Sequence, residues 1–510
     1  MTLPSKDEFL KYVREGKTAP LYEEIPFSSP QLLYALFRSS RSILLESIKG
    51  PEKIARYSFI GFDPCMTFKI KNGLVDFENN PHSNPATKCG EVCLRAGENN
   101  ISSIKPLHVL KSLITSYRQI PFEFLPPFQG GIAGLLSYDF VQYFERLPQD
   151  AVDDLHLPDA HFFLIDRLIA LDHFRNKGWV IVCPGVRESL RDGLGMDGIN
   201  WPEKYDEAEY EIGQIVKRIN SESPKSEIQN SKLGKKIDII YEMDKSGYMD
   251  IVRRTKQYIA AGDIFQANLS QRVSAHIGER SPWKLYEILS EINPSPFAAF
   301  IDFGDYQIVS SSPERLIRVK NGIIETRPIA GTRPRGIDIL EDELLRIELL
   351  LNQKERAEHI MLIDLERNDL GKVSYYGTVV VDELMITEDC SHVMHIVSNI
   401  RGDLAQGRDC FDAIKATFPG GTITGVPKVR CMEIIDELEP VRRGPYTGSI
   451  GYIGFSGNMD LNIIIRTFVI KDEMAYVQVG AGIVADSDPE REYYETLKKA
   501  EALIRTLESV

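Results

Sequence analysis

Cysteine is scarce in this chain, cationic charge is outnumbered, and no long apolar run occurs. Each shortage excludes something. The seven cysteines (Cys65, Cys89, Cys93, Cys183, Cys390, Cys410, Cys431) are scattered through 510 residues and odd in number. That is the pattern of reduced thiols rather than of a disulfide framework. Cys89 and Cys93 have a metal-like spacing, but no second Cys/His pair accompanies them, so no zinc site is expected. Lysine and arginine number 60 against 74 acids, a formal net charge of −14. This argues against a nucleic-acid partner, for which a basic patch should dominate the electrostatics. An acidic protein can still bind an anionic small molecule if it brings local cations or a metal. No stretch approaches the ~18 apolar residues needed to span a bilayer. The opening MTLPSKDEFLKYVREGK lacks an apolar core of signal-peptide length. The expectation is a soluble cytoplasmic protein with no membrane or nucleic-acid partner.

What remains is ordinary globular material, 43% hydrophobic and 26% charged, long enough for two or more domain-sized units. In the first half, SILLESI (42–48), RYSFIGF (56–62), GGIAGLLSYDF (130–140), FFLIDRLIALDHF (162–174) and WVIVCPG (179–185) read as strands. Residues 80–105 are polar and turn-rich, a surface insertion. Tyr210, Ile212, Ile215, Val216 and Ile219 give 204–220 a helical rhythm. The polar run at 221–236 reads as a linker between an N-terminal region, 1–220, and a catalytic domain, 237–510. The second half begins with a helix over 245–261, closed by Gly262. Strands such as YQIVSSSPERLIRV and MDLNIIIRTFVI then alternate with helices near 340–360, 408–417 and 426–438. Short turns such as Phe455–Asn458 imply largely antiparallel sheets. The fold class is therefore α+β, with mixed, largely antiparallel sheets packed with helices.

Asp488-Pro489 supplies a cap and a first-turn proline for a last helix. On that helix Glu492 and Glu495 share one face, with Lys498 three residues further. Glu355 and Glu358 repeat the spacing in QKERAEHIMLIDLERND. Each pair alone reads as a solvated helix face, yet two pairs converging from two helices suit a hard cation such as Mg²⁺. FPGGTITGVPK (418–428) reads as a loop feeding a helix capped by Thr424, where exposed N–H groups near Gly420 and Gly421 and the Thr422 hydroxyl could cradle a carboxylate. It reads equally as a tight connection. The Gly, Lys and Ser/Thr spacing there is not that of a phosphate-binding Walker loop. Gly480 and Gly482 inside VQVGAGIVADS mark a bulge or a close approach. Arg466 closes an apolar strand as a structural ion pair or an anion ligand. Gly331 and Thr332 lie in the turn-rich RPIAGTRPRG, and His395 lies in an apolar run where a satisfied core histidine is the plainer reading.

Taken together, GDIFQANLSQR, SSSPERL, RPIAGTRPRG, AEHIMLIDLERNDLG, VMHIVSNIRG, FPGGTITGVPKVRCMEIIDELEP, GPYTGSIGY, IIIRT and VGAGIVADSDPEREYYET resemble the chorismate-binding family over nearly the whole chain. Within it they look like the synthase component of anthranilate synthases. The resemblance implies Mg²⁺ held by Glu358 and Glu495, with Glu355 and Glu492 as the second members of the pairs. It implies a chorismate pocket lined by Gly331, Thr332, Tyr446, Arg466, Gly480, Ala481, Gly482 and Lys498. His395 and Thr422 match residues beside the reacting ring, and Glu314 lies in a matching acidic motif.

Water-using isochorismate and salicylate synthases of the family resemble one another in having a lysine base where this chain has Gln266. An amide cannot deprotonate water, so ammonia is the expected nucleophile. Aminodeoxychorismate synthases often carry a lysine where this chain has Ala330, which favours anthranilate. FQANLSQR, DLERNDLG and FPGGTITG keep an aminodeoxychorismate-synthase flavour, and that enzyme is the alternative. A non-catalytic sensor of tryptophan or chorismate is the alternative of another class. LLES (44–47) and NPSPF (293–297) resemble the family's tryptophan feedback site, with Leu45, Glu46, Ser47, Pro296, Phe297 and Ala298 as contacts, although LLES is equally a buried strand end. No cysteine occupies a G-x-C-x-G turn, so ammonia is expected from a separate glutamine amidotransferase.

Overall fold

The computed structural model describes residues 1–79, 105–190, 196–221, 237–389 and 393–510. Nearly all of the insertion expected over 80–105, with Cys89 and Cys93, lies outside the described residues, as does nearly all of the linker expected over 221–236.

Two large sheets form the molecule. The first runs, in spatial order, Leu21–Pro26, Lys177–Val182, Arg167–Asp172, Tyr57–Gly61, Ser42–Glu46, Phe297–Asp302, Gln307–Ser312, Thr467–Lys471, Met474–Ile483, Gln266–His276 and Ile239–Tyr241. The second runs Ile329–Pro334, Val393–Asp403, Ile323–Thr326, Arg315–Lys320, Met459–Asn462, Ser449–Gly454, Gly131–Leu136, Ala160–Ile165, Met66–Lys71 and Leu74–Asn79. Every described pairing between these strands is antiparallel. Both sheets take strands from before 221 and after 237, joined for example at Glu46 opposite Ala298 and Ser449 opposite Leu136. The two stretches of chain on either side of the linker therefore share their cores.

Three segments that read as single strands are each two. FFLIDRLIALDHF divides into Ala160–Ile165 and Arg167–Asp172, YQIVSSSPERLIRV into Gln307–Ser312 and Arg315–Lys320, and MDLNIIIRTFVI into Met459–Asn462 and Thr467–Lys471. In each, one half belongs to one sheet and the second half to the other. Alternating or continuous apolar sequence serves both sheets equally, so the break carries no hydrophobic signature. Two crossings run side by side. Ser312 Oγ donates to the Ile463 carbonyl at 2.6 Å, and the Ser311 N–H donates to the Arg466 carbonyl at 3.1 Å. Glu314 and Arg466, the latter at φ +52°, thus sit where the chain passes between the sheets.

Helix ends follow local chemistry. Asp488 accepts from the Arg491 N–H at 2.9 Å ahead of Pro489–Glu508, and Gly262, at φ +83°, closes Lys245–Ala261. The helix expected near 340–360 is two, Ile339–Leu351 and Gln353–Gly371. Between them Asn352 leaves the helical region and caps the second through the Glu355 N–H. Thr424 caps nothing: its hydroxyl turns back to the Gly420 carbonyl at 2.7 Å, and the helix Lys428–Leu438 starts after Pro427. Tyr210, expected on the apolar face of its helix, is exposed, while Ile212 and Ile215 are buried.

The last helix lies on Met474–Ile483 and against Lys245–Ala261 and Pro282–Ile292. Its Ala500, Leu503 and Leu507 are buried; a fully buried leucine contributes about 1.5–3 kcal/mol. A buried ion pair fixes the opposite flank. Arg443 donates to both Glu439 oxygens and to the Asn268 carbonyl, and Glu439 accepts from the Ser270 N–H at 2.8 Å. Breaking it from one side would strand a buried charge, at about 3–5 kcal/mol.

Candidate active site

The strand Ile329–Pro334 meets Val393–Asp403 with a register shift between Ala330 and Thr332. The extra residue is Gly331, at φ +63°, and a Cβ there would stand 2.6 Å from Glu355 Oε2. Only glycine combines that backbone with that approach. The shift sets Thr332 opposite His395, with Thr332 Oγ1 and His395 Nδ1 2.9 Å apart. His395 Nε2 is buried and has no hydrogen-bond partner. Burial first, and then the nearby Arg466 cation, lower its pKa to about 4, so the ring is neutral at pH 7. Ala330 stands opposite Ile396 on the same strand pair.

Thr422 donates to Glu314 Oε1 at 3.0 Å. Glu314 is buried, and burial pushes its pKa to about 7 against the opposing bonds from Thr422 and the Ile329 N–H. Next to it, Glu366 is also buried and raised to about 7, first by burial and then by Asp369, while accepting from Thr326 and the Gly421 N–H. The glycine turn is therefore held by two buried carboxyls, one through Gly421 and one through Thr422. Glu366 was not legible as a site residue: in sequence it is one glutamate among several on a charged helix.

The third wall is Met474–Ile483 paired with Gln266–His276, placing Gly482 opposite Asn268, Ala481 opposite Leu269 and Gly480 opposite Ser270. A Cβ on Gly480 would lie 2.8 Å from Tyr446 Oη and 2.6 Å from Asn268 Oδ1, and one on Gly482 would lie 2.5 Å from Gln266 Nε2. The glycines make room for these polar groups, whereas Ala481 is buried in an apolar cluster with Leu269 and Ile434. Ala481 thus offers backbone to the site, not side chain. Asn268 Oδ1 and Gln266 Oε1 are buried without hydrogen-bond partners.

Lys498 and Lys499 are both exposed on the last helix. Lys499 donates to the Gly480 carbonyl at 3.0 Å and pairs with Glu495 at 2.9 Å.

The acidic residues face one another across two helices. Burial raises Glu358, assisted by the charges of Asp486, Glu355 and Glu495, and burial raises Glu492, with Glu495 adding to it. Glu355 Oε1 is taken by Arg333 at 2.7 Å while its Oε2 is buried and unpartnered. Among the described residues no three His, Cys, Asp or Glu side chains stand close enough to share a metal ion. The donor set is nonetheless one of hard oxygens whose mutual repulsion a divalent cation would relieve, so Glu358, Glu495, Glu355 and Glu492 fit Mg²⁺ in chemistry without already forming a cage.

His395 Nε2, Gln266 Oε1, Asn268 Oδ1 and Glu355 Oε2 all lack partners. Buried polar groups are normally satisfied; three of these four atoms are acceptor oxygens, so what completes them must donate hydrogen bonds or carry positive charge.

A separate cavity of about 360 Å³ is lined by Leu45, Glu46, Ser47, Pro296, Phe297 and Ala298. All six residues singled out as effector contacts meet there. Glu46 accepts from Tyr286 at 2.5 Å and from Gln31 at 3.2 Å, and burial raises its pKa. Arg56, Arg315, Arg318 and Lys53 also line the cavity, each paired with a carboxylate.

A family model described as chorismate binding enzyme matches residues 42–505. Anthranilate synthase component 1 of Acetivibrio thermocellus is 42% identical over 100% of this chain and 99% of its own. Aminodeoxychorismate synthase component 1 of Bacillus subtilis is 41% identical over 96% and 97%. The crystal structure of anthranilate synthase component I from Streptococcus pneumoniae superposes with a TM-score of 0.74 at 35% identity, covering 95% of this chain and 99% of that one.

Proposed function

The chain belongs to the family of chorismate-binding enzymes, and on that premise we propose that it is the synthase component of an anthranilate synthase. It would join chorismate and ammonia to give anthranilate, pyruvate and water, at the entry to tryptophan biosynthesis. What carries the reading is the likeness to an anthranilate synthase component 1 over the whole chain, together with the Arg466 cation beside neutral His395, a charge that a small dianion would meet.

The residues divide the work. Arg466, at the crossing between the sheets, is the cation for the enolpyruvyl carboxylate. Glu358 and Glu495, flanked by Glu355 and Glu492, would hold Mg²⁺, which would neutralise the ring carboxylate. Ammonia adds at ring carbon 2 as the hydroxyl at carbon 4 departs with a proton. Loss of the enolpyruvyl group as pyruvate, with one ring proton, then gives the aromatic product. Glu314, protonated below about pH 7, would be the group that donates a proton. Neutral His395, with Nε2 free, can accept one. Gln266 supplies no base, which suits a nucleophile that arrives already basic.

Ammonia would come from a separate glutamine amidotransferase chain. Tryptophan would act as a feedback inhibitor in the 360 Å³ cavity. Among the described residues no helix is long and apolar enough to cross a membrane, and Cys65, Cys183, Cys410 and Cys431 are free and buried, which suits a reducing cytoplasm. The likeness to an aminodeoxychorismate synthase defines the competing product. Incubation with chorismate, Mg²⁺ and ammonium separates the two: fluorescent anthranilate supports this reading, and a product that needs an added lyase to become aromatic rejects it.

A further inference from the structure

The first two turns of the helix Gln353–Gly371 carry the acidic pair Glu355 and Glu358, yet they bury no apolar side chain. Over 353–361 one residue is buried, His359, at 0% exposure. The buried apolar residues of this helix, Leu362, Ile363 and Leu370, begin only after it. His359 Nε2 lies 2.7 Å from Ser398 Oγ, on the strand that carries His395, and Ser398 is also fully buried. Ser398 Oγ in turn accepts from the Met385 N–H at 2.9 Å. That amide belongs to a bulge. Glu383 faces Asn399 and Ile386 faces Val397, so Leu384 and Met385 together oppose Ser398 alone, with Met385 at φ +51°. Because the serine oxygen takes the N–H of the bulge, its own proton is left for His359 Nε2.

Apolar burial is non-directional, whereas a hydrogen bond to a rigid ring fixes which way a helix face points. Successive helical residues are turned by about 100°. A helix held at His359 therefore has Glu358 set in direction, and Glu355 with it, one turn earlier on the same face. On the strand, Met394, Ile396 and Ser398 alternate onto one face, the first two packing on Leu349. His395 lies between them on the other face, beside Thr332. The bond thus joins the carboxylates to the strand whose far side presents His395.

We propose that His359 is a positioning residue for the magnesium site, setting through its bond to Ser398 the rotation of the helix that carries Glu355 and Glu358. This rests on the proposed Mg²⁺ site and adds what orients its ligands. The test compares His359→Leu, which keeps bulk and loses the ring nitrogen, with His359→Gln, which keeps a polar atom at similar reach. Leu370→Ala, a packing loss at the far end of the same helix, is the control. Mg²⁺ binding to each full-length chain is measured by titration calorimetry, and backbone amide exchange by mass spectrometry. His359→Leu should weaken Mg²⁺ binding by about tenfold and speed exchange over 353–361, and His359→Gln should restore binding to within about threefold. Leu370→Ala should lower Tm while leaving the Mg²⁺ dissociation constant within about twofold. Ser398→Ala removes the same bond from the strand side and serves where His359→Leu does not fold; combined with His359→Leu it should weaken Mg²⁺ binding no further. A chain without the bond that binds Mg²⁺ like the wild type overturns the proposal. So does a Leu370→Ala chain that loses binding equally. If the wild type binds no Mg²⁺, the metal assignment fails, while exchange over 353–361 still decides whether His359 sets this end of the helix.

Discussion

The ammonium of Lys499 donates to the carbonyl of Gly480 across 3.0 Å while pairing with Glu495 at 2.9 Å. One side chain thus ties the last helix to the glycine strand of the site. A bond from a half-exposed lysine contributes about 0.5–1 kcal/mol. Lys499→Met should therefore lower kcat/KM for chorismate by about two- to fivefold, whereas Lys498→Met should leave it unchanged. Steady-state kinetics of both variants decides, and the reverse order would refute the assignment.

Glu314 and Glu366 are both held near 7 by burial, and Glu366 adds like charge to Glu314. The ammonium-dependent rate, corrected for the fraction of free ammonia, should fall as pH rises through about 7, where Glu314 loses its proton. Glu366→Gln removes a like charge and should move that limb to lower pH. A pH–rate profile that Glu366→Gln leaves in place would show that Glu314 is not the group being titrated.

Asp139 titrates away from the active site. Burial and the charge of Asp159 raise its pKa to about 7 while it accepts from the Gly444 N–H at 3.0 Å. Between about pH 4 and 7 the folded protein holds a proton there that the unfolded chain has released, so stability falls as pH rises through that window. Asp139→Asn keeps an acceptor for Gly444 and removes the titration. Its Tm relative to wild type should rise between pH 5 and pH 8; a constant difference would contradict this.

Tryptophan should raise the Tm of the wild type, as a ligand of the folded state must, and should inhibit turnover. Ser47 lines the cavity and donates to the Pro296 carbonyl at 3.1 Å. Ser47→Phe fills the space and should abolish both effects while leaving turnover within about twofold. Wild-type protein indifferent to tryptophan would remove the feedback role.

Much of this arrangement was legible in sequence because it is written locally. Gly262 and Asp488 announce helix ends by their own chemistry, and Gly480 and Gly482 betray close approach by interrupting a strand. The losses are equally physical. The crossings at Asp166, Glu314 and Arg466 look like continuous strands because an apolar residue suits either sheet. Lys498 and Lys499 lie three and four residues beyond Glu495, and both spacings share a helical face. Only the packed helix distinguishes them. Asn352 splits one apparent helix because its side chain satisfies the next helix's N–H, a competition that apolar rhythm does not record. Glu366 is brought into the site by burial alone.

The central claim is that this chain by itself turns chorismate into anthranilate. The most direct test supplies purified protein with chorismate, Mg²⁺ and isotopically labelled ammonium, and follows labelled product and pyruvate together by mass spectrometry. The account predicts labelled anthranilate and pyruvate in equal amounts, both abolished by a chelator and restored by Mg²⁺. Labelled 4-amino-4-deoxychorismate accumulating without pyruvate would contradict it.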